Sequence, residues 1–220
     1  MKRFFLFDKF NTAYDWRLML QEKSTPEPEP KTNYVSIDGR SGTLDMTEVL
    51  TGEVTYNDRT VSASFLCDEG TYQDRKAMYR QVVASLHGKK VKIVEPDGPD
   101  HYFFGRCVVK DLKQTRTYMT FTIEAVCDPW RYAVNETERN VSVDGFVSVV
   151  IANRGERTVC PTITVTGTVE LIHNDGTECE NVTLTTGEYK IPDIKLRQGN
   201  NIICVNGNGA VTFTYREGVL

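Results

Sequence analysis

The chain has 220 residues and a formal net charge of −4, with 40% hydrophobic and 25% charged residues. This length is enough for one large β domain or for two small domains that each bury a core, and two are expected. The composition indicates neither a disordered nor a fibrous protein. No basic run is longer than Lys89-Lys90, so a binding surface for free nucleic acid is not expected. No apolar stretch approaches the roughly 20 residues of a membrane-spanning helix, and we expect no membrane partner.

The first predicted elements are two strands, Phe4 to Phe7 and Leu18 to Gln21. Between Ser24 and Lys31 prolines alternate with other residues, a pattern that forbids a helix or a central strand and favours an extended connector. This connector is either a plain surface loop or a strap that docks on a neighbouring subunit, and the loop is the favoured interpretation.

The next segment, Tyr34 to Glu48, begins as a short strand, Tyr34 to Ile37, and runs into a turn at Asp38-Gly39. A second glycine, Gly42, follows where a positive φ is least costly. The segment contains three acids and Arg40 but no Cys or His, and its glycines lack the spacing of a phosphate loop. Its residues therefore indicate a structural role.

A change of periodicity marks the one predicted helix. Gly52 to Tyr56 and Val61 to Cys67 are predicted to form a hairpin. From Tyr72 to His87 apolar residues then recur at helical spacing, between a capping-box start and a glycine stop. The opposite face of this helix carries polar residues and is predicted to be solvated; these are Asp74, Arg75, Arg80 and Gln81.

Three strands are predicted to complete the first domain: Val91 to Val94, His101 to Val109 and Tyr118 to Cys127. The last alternates apolar and polar residues cleanly, as expected of a half-buried strand. Asp128-Pro129 interrupts it, and we place the domain boundary near residue 133.

The second predicted domain, 134–220, is all β. Short strands separated by turn signals every 8 to 12 residues or so are typical of an antiparallel sandwich. Breaks between its strands are predicted at five places: two single glycines, Gly145 and Gly167, and three turns, Asn174 to Gly176, Thr186-Gly187 and Gly207 to Gly209.

No catalytic, metal or cofactor site is predicted. The six cysteines are spread without a C-x-x-C pair and without histidines at metal-ligand spacing. They could form three disulfides, but free thiols in strands are favoured. None of the three histidines lies near a nucleophile motif, and acids that could assemble a carboxylate pair lie in a hairpin tip typical of solvated turns; these are Asp175, Glu178 and Glu180. An enzyme is therefore not expected.

The segment Tyr34 to Glu48 resembles the signature V-x-I-D-G-R-x-G-x-L-D-x-T-E of phage distal tail proteins, the ring components that join a long flexible tail tube to its baseplate. Further segments in matching order strengthen the resemblance over most of the chain. They are the helix that closes at Leu86-His-Gly88, the strand Phe121 to Cys127 with Asp128 to Tyr132, Gly199 to Ile202, and Tyr215 to Leu220.

The resemblance implies a mainly β chain with one helix. The N-terminal domain, 1–133, is then a barrel or split-barrel related to the tail-tube fold, and 134–220 is a galectin-like sandwich. The implied partners are five more copies in a homohexameric ring, the tail tube protein, the tail-associated hub or fibre protein and receptor-binding proteins. Genome DNA passes through the lumen, and the protein lies at the virion tail tip.

On this interpretation the segment Tyr34 to Glu48 is an assembly element. Gly39 and Gly42 shape its turn, and salt bridges within or between subunits are predicted for its charged side chains. The candidate assembly residues are Asp38, Gly39, Arg40, Gly42, Asp45, Glu48, Arg75 and Arg80. The competing hypothesis is a carbohydrate-binding adhesion module that contacts the host cell wall through an exposed aromatic side chain of the C-terminal sandwich, although Tyr189 and Tyr215 are predicted to be core residues.

Overall fold

A computed structural model describes residues 3–174 and 179–220. The chain divides into two compact units, which we call unit 1 and unit 2. Unit 1 covers the chain up to Arg131 together with Leu220, and unit 2 covers Tyr132–Val219. As predicted, the fold is mainly β with one helix.

Unit 1 is built from one large antiparallel sheet. Seven of its strands follow the order β2-β1-β7-β8-β9-β6-β3, and β4 and β5 form a separate two-stranded sheet. The elements are β1 (Leu6–Phe7), β2 (Phe10–Asn11), β3 (Met19–Ser24), β4 (Tyr34–Ser36), β5 (Thr43–Asp45), β6 (Arg59–Cys67), α1 (Tyr72–Leu86), β7 (Lys90–Val94), β8 (His101–Gln114), β9 (Met119–Cys127) and β10 (Arg131–Ala133) at the boundary.

Strict alternation of burial places the core of unit 1 on one face of this sheet. In β9, Met119, Phe121 and Ile123 are buried while the threonines between them are partly exposed, which confirms the predicted strand. The predicted hairpin of Gly52 to Tyr56 with β6 is wrong. Residues 52–56 contain only an isolated bridge between Tyr56 and Pro30, because β3 and β9 take both edges of β6.

The predicted helix is confirmed with its caps. Thr71 and Asp74 form a capping box at its start, and His87 is the C-terminal cap. Gly88 follows with φ +77°, a conformation that favours glycine. Val82 and Leu86 pack into the core, but so does Arg75, which is only 3% exposed. The predicted solvation of Arg75 is therefore wrong.

The capping box carries a pH-dependent contribution to the stability of unit 1. The hydroxyl and backbone N–H of Thr71 donate to Asp74 at 2.7 and 2.9 Å and lower the pKa of its carboxyl. A lowered pKa stabilises the folded state above the unfolded value of about 3.9 and stops doing so as the pH falls through the folded value. We expect Asp74→Asn to weaken unit 1 at pH 7 and to weaken it less at about pH 3, which lies below the unfolded value.

Urea unfolding at both pH values measures this difference. Asp58→Asn is the matched control, because the exposed Asp58 side chain shows no hydrogen bond or ion pair within residues 3–174 and 179–220. A deficit of Asp74→Asn that is equally large at pH 3 would mean that the carboxylate charge contributes nothing to the cap.

Unit 2 contains a four-stranded antiparallel sheet in the order β11-β14-β12-β13. Its strands are β11 (Thr137–Asn153), β12 (Thr162–Asn174), β13 (Cys179–Lys190), β14 (Gly199–Tyr215) and β15 (Gly218–Val219), the last outside this sheet. The antiparallel β character is as predicted, but the breaks at Gly145, Gly167, Thr186-Gly187 and Gly207 to Gly209 are wrong. Each strand continues through its glycines.

The glycines of unit 2 lie opposite one another across the sheet. Gly145 pairs with Gly207 and Gly167 with Gly209, and all four have positive φ. The ladder of β12 with β14 continues through them, whereas that of β12 with β13 shifts register between Val165 and Thr168. Residues from both sides of the glycines, such as Val211 and Val205, then share one buried core. The predicted turn at 174–176 lies largely outside the described residues, and the galectin-like assignment stays a prediction.

Candidate functional site: a projecting arm in unit 1

The segment predicted to serve assembly forms a hairpin that we call the arm, residues 33–52. Within it β4 pairs with β5, so that Tyr34 lies opposite Asp45 and Val35 opposite Leu44. The connecting turn includes Gly39 and Gly42 at φ +82° and +80°, where a side chain would be strained. A Cβ at either glycine would meet nothing within 4 Å, so backbone conformation alone accounts for the preference for glycine.

The base of the arm is fixed to unit 1. Lys31 donates its N–H to the Thr55 carbonyl, and Asn57 donates to the Glu29 carbonyl, both at 2.8 Å. The Tyr56 ring packs edge-on against Trp130 with the ring centroids 5.6 Å apart. The two segments that lead into and out of the arm are thus bonded to each other and packed on unit 1, so the arm extends from a defined position.

The Pro-Glu connector that leads to the arm packs on its own unit. Pro28 is buried, and Glu27 accepts from Arg59 at 3.4 Å. The Arg59 guanidinium, whose side chain is 1% exposed, lies 5.4 Å from the centre of the Phe103 ring. Burial lowers the pKa of Arg59, and Glu27 opposes that shift. These contacts favour the plain-loop interpretation over the docking strap.

The arm exposes apolar side chains that no part of unit 1 covers. The exposed fraction reaches 58% at Tyr34, 62% at Val49 and 93% at Leu50, and Val35 and Ile37 are each 42% exposed. An isolated two-stranded hairpin is marginally stable in water, and clustered exposed apolar residues mark contact surfaces. The arm therefore has the properties of an element that a second molecule covers.

The charged side chains of the arm are also unsatisfied within the chain. In the described residues Asp38, Arg40 and Glu48 are exposed and make no side-chain hydrogen bond or ion pair. Asp45 differs, because the Thr47 hydroxyl and N–H donate to it at 2.5 and 3.0 Å and lower its pKa. The predicted salt bridges of Arg40 with Asp45 and Glu48 are thus not formed inside one subunit, which leaves contacts between subunits as the prediction.

The two helix arginines among the candidates have different environments. Arg75 donates to the carbonyls of Gly70 and Arg116 at 2.6 and 2.7 Å, which ties the start of α1 to the loop after β8. Because it is buried, we leave it out of the proposed contact surface. Arg80 is exposed on α1 and remains a candidate.

Sequence reasoning missed the apolar half of the site. It singled out the glycines and charges, whereas Tyr34, Val35, Ile37, Val49 and Leu50 provide the exposed apolar surface. The available signal was that β4 is apolar on both faces, and that Val49-Leu50 immediately precedes the Thr51-Gly52 pair.

The residues considered for chemistry have structural roles where they are described. His87 Nδ1 accepts from the Val109 N–H at 3.1 Å, and His173 Nε2 lies 3.1 Å from the Lys195 carbonyl. The predicted carboxylate pair falls on Asp175, Glu178 and Glu180, whose side chains lie outside the described residues. Among those that are described, no group of His, Cys, Asp and Glu could hold a metal ion.

The cysteines follow the favoured interpretation as far as the structure describes them. Cys67, Cys107, Cys127, Cys160 and Cys204 are free thiols, the first three buried. Burial raises the pKa of Cys107 and Cys127 to about 12, which keeps both protonated and unreactive. No helix in the described ranges is long and apolar enough to span a membrane.

No family model and no curated protein matches the sequence. Solved structures do match. Chains of the phage P2 baseplate in its activated conformation, with Ca or Sr, align with 8% identity over 99% and 97% of this chain and 98% of each match. Their TM-scores are 0.44 and 0.43, too low to support a conclusion about the fold. The SPP1 Dit (gp 19.1) protein, described as a paradigm of hub adsorption apparatus in phages that infect Gram-positive bacteria, aligns at a TM-score of 0.72 with 18% identity. The alignment covers 97% of this chain and 98% of that protein, and the chain therefore has the fold of a phage Dit protein.

Proposed function

We propose that the protein is a structural subunit of a long-tailed phage or prophage, located at the tail tip. Six copies form a ring through unit 1, with the tail tube protein on one side and the tail-associated hub or fibre protein on the other, and genome DNA passes through the lumen. Receptor-binding proteins are further partners. The protein holds these partners in position and catalyses no reaction.

The observation that carries this proposal is the end-to-end likeness to the SPP1 Dit fold. Both chains are covered almost completely, so the correspondence includes both units. The arm adds an independent reason, since its uncovered apolar and charged side chains need a partner molecule.

Negative-stain electron microscopy of the purified full chain tests the proposal. We expect six-fold rings, and rings that add to the end of isolated tail tubes. A compact monomer that persists at high protein concentration and adds nothing to tail tubes would contradict it.

The arm charge makes a specific prediction. Because Arg40 has no partner among residues 3–174 and 179–220, we expect Arg40→Glu to leave the monomer folded. We expect it to weaken ring formation about tenfold, as for loss of a charged contact worth about 1.4 kcal/mol. Sedimentation velocity measures the ring fraction against protein concentration.

Arg139→Glu, an identical charge change at an exposed position of β11 in unit 2, is the control and should leave ring formation unchanged. Unaltered assembly of Arg40→Glu would mean that the arm stabilises its own unit and nothing more.

The carbohydrate-binding hypothesis has one observation in its favour. Tyr215 is 5% exposed and Tyr189 packs against the core, but Phe146 in β11 is 64% exposed and could stack on a sugar ring. A glycan screen with cell-wall saccharides tests it, with Phe146→Ala as the comparison. Binding that Phe146→Ala abolishes would support it, and a null screen would remove it.

A further inference from the structure

We propose that the arm of one copy docks on the outer face of β7, β8 and β9 in unit 1 of a second copy. This inference rests on the proposed ring and names the surface that receives the arm. We call that surface the basic face, defined by Lys90, Lys92, Arg106, Val108, Lys110 and Val126.

The basic face has an apolar centre. Arg106 lies opposite Val126, and Val108 lies opposite Glu124, so the two valines are diagonal neighbours on one side of the sheet. They point away from the core because their neighbours Cys107, Val109 and Ala125 are buried. Val108 is 40% and Val126 51% exposed, an unusual choice for two adjacent outward positions of a sheet with one solvated face.

Cations surround these valines. Lys90 pairs with Asp128 at 3.3 Å and Lys110 with Glu124 at 2.5 Å. The side chains of the other two have no carboxylate partner in the described ranges, although the backbone N–H of Lys92 donates to the Asp8 carboxylate at 2.8 Å. Lys92 Nζ lies 4.9 Å from the centre of the Tyr102 ring, and the Arg106 guanidinium donates to the Gly88 carbonyl. Among the described residues, four cations against the carboxylates of Asp8, Glu124 and Asp128 leave the face with a net positive charge.

The arm has the complementary properties. It exposes Val49 and Leu50, and its carboxylates, Asp38, Asp45 and Glu48, outnumber its single cation, Arg40. Docking would cover apolar side chains on both surfaces and bring carboxylates to Lys92 and Arg106. Arg40 would then meet the acids of the same face, Glu124 and Asp128, so reversal of its charge weakens the contact. An apolar centre with a charged rim is the usual composition of a protein interface, and opposite charges of this kind select the partner and its orientation.

The dimensions also agree. The hairpin part of the arm closes at Asn33 and Met46, and the six residue steps from Asn33 to Gly39, at about 3.3 Å each, give it a reach of up to roughly 20 Å. Three strands spaced about 4.8 Å apart make the basic face roughly 10 Å wide. One arm is therefore long enough to cross the whole face. In a single chain both surfaces remain exposed, so the arm does not occupy its own face.

Nucleic acid is the less favoured occupant. Phosphate binding needs clustered free cations, and two of the four cations here are already paired. The valines at the centre of the face offer nothing to a phosphate backbone. A second copy accounts for both the charge and the apolar centre.

Charge exchange tests the inference. We expect Glu48→Lys and Arg106→Glu each to raise the protein concentration needed for ring assembly about tenfold. Both changes in one chain should restore assembly to within about threefold of the unmodified protein, because the charges again attract. Glu138→Lys and Lys195→Glu in unit 2 carry the same charge changes at exposed positions and should have no effect. Circular dichroism verifies that every variant is folded.

Carbodiimide cross-linking of the assembled full chain gives a direct readout. In a mixture of 14N- and 15N-labelled protein, we expect intermolecular cross-links from Asp38, Asp45 or Glu48 to Lys90, Lys92 or Lys110. Failure of the unmodified chain to form rings overturns the proposed function and this inference together. Rings that tolerate Arg106→Glu and give no such cross-links overturn the inference alone. So does a basic-face variant that loses binding to duplex DNA yet assembles normally.

Discussion

Replacing Gly209 by Ala should unfold unit 2. Gly209 has φ +145°, and a Cβ there would lie 1.8 Å from the Thr166 carbonyl oxygen and 3.1 Å from the Gly167 Cα. Both obstructing atoms are backbone in the neighbouring strand, so the sheet must separate locally to admit a methyl group. We expect a loss of at least about 4 kcal/mol, the range of severe core damage, and a fall in Tm of more than about 15 °C.

The measurement can isolate unit 2. Both tryptophans, Trp16 and Trp130, belong to unit 1, so tryptophan fluorescence follows that unit, while far-UV circular dichroism reports both. The matched control is Gly145→Ala, since Gly145 has φ +81° but nothing within 4 Å of its Cβ position. Only the conformational penalty of about 1–2 kcal/mol applies there. Equal losses for the two variants would show that close strand approach is not what Gly209 serves.

Replacing Arg75 by Leu should weaken unit 1 by about 3 kcal/mol. The substitution removes both hydrogen bonds of the guanidinium and leaves the Gly70 and Arg116 carbonyls without their donor. Hydrogen bonds from charged donors contribute about 1.5–3 kcal/mol, and the loop after β8 loses its connection to α1. Urea unfolding followed by tryptophan fluorescence measures the change.

Arg80→Leu is the control, because Arg80 is exposed on the same helix and surface substitutions usually change stability by less than about 0.5 kcal/mol. If Arg75 served assembly as first predicted, Arg75→Leu would instead leave the unfolding midpoint of the monomer unchanged and reduce ring formation. The pair of variants therefore separates a structural arginine from a contact arginine.

Local patterns accounted for the elements that a few neighbouring residues specify. The capping box of Thr71 and Asp74 predicted α1, and the alternation from Met119 to Cys127 predicted β9. The strand period placed Cys67 and Cys127 in the core without reference to a partner strand. Such features depend on interactions between residues close in sequence, so the spacing of apolar and polar residues is enough to predict them.

The burial of Arg75 could not be predicted from such spacing. On a helical wheel it belongs to the polar face, and nothing near it in sequence announces a partner. Its acceptor at Arg116 is 41 residues away and comes within reach only because β8 packs beside α1. A long-range hydrogen bond decided the environment of a residue whose local pattern indicated solvent.

The glycines of unit 2 are a second case in which neighbouring residues alone gave the wrong prediction. Taken singly, Gly145 and Gly167 indicate turns, since glycine at that spacing usually ends a strand. The strands instead continue through both glycines, which pair with Gly207 and Gly209 across the ladder. At Gly167 the opposing backbone of Asn208 leaves no room for a side chain, whereas at Gly145 only the positive φ favours glycine. Whether such a glycine ends a strand or lies within it is decided by the register between strands that are distant in sequence.

The sequence by itself determined the mainly β class, the single helix and its caps, and the glycine turn between Asp38 and Gly42. Each follows from the periodicity and backbone preferences of adjacent residues. Only the tertiary structure decided that Tyr34 to Glu48 projects from unit 1 with Val49 and Leu50 uncovered, and that Arg106 and Val126 share one outward face. The exposure of a side chain depends on which strands pair and which faces they leave uncovered. Strand pairing in turn depends on contacts between residues that are far apart in the sequence.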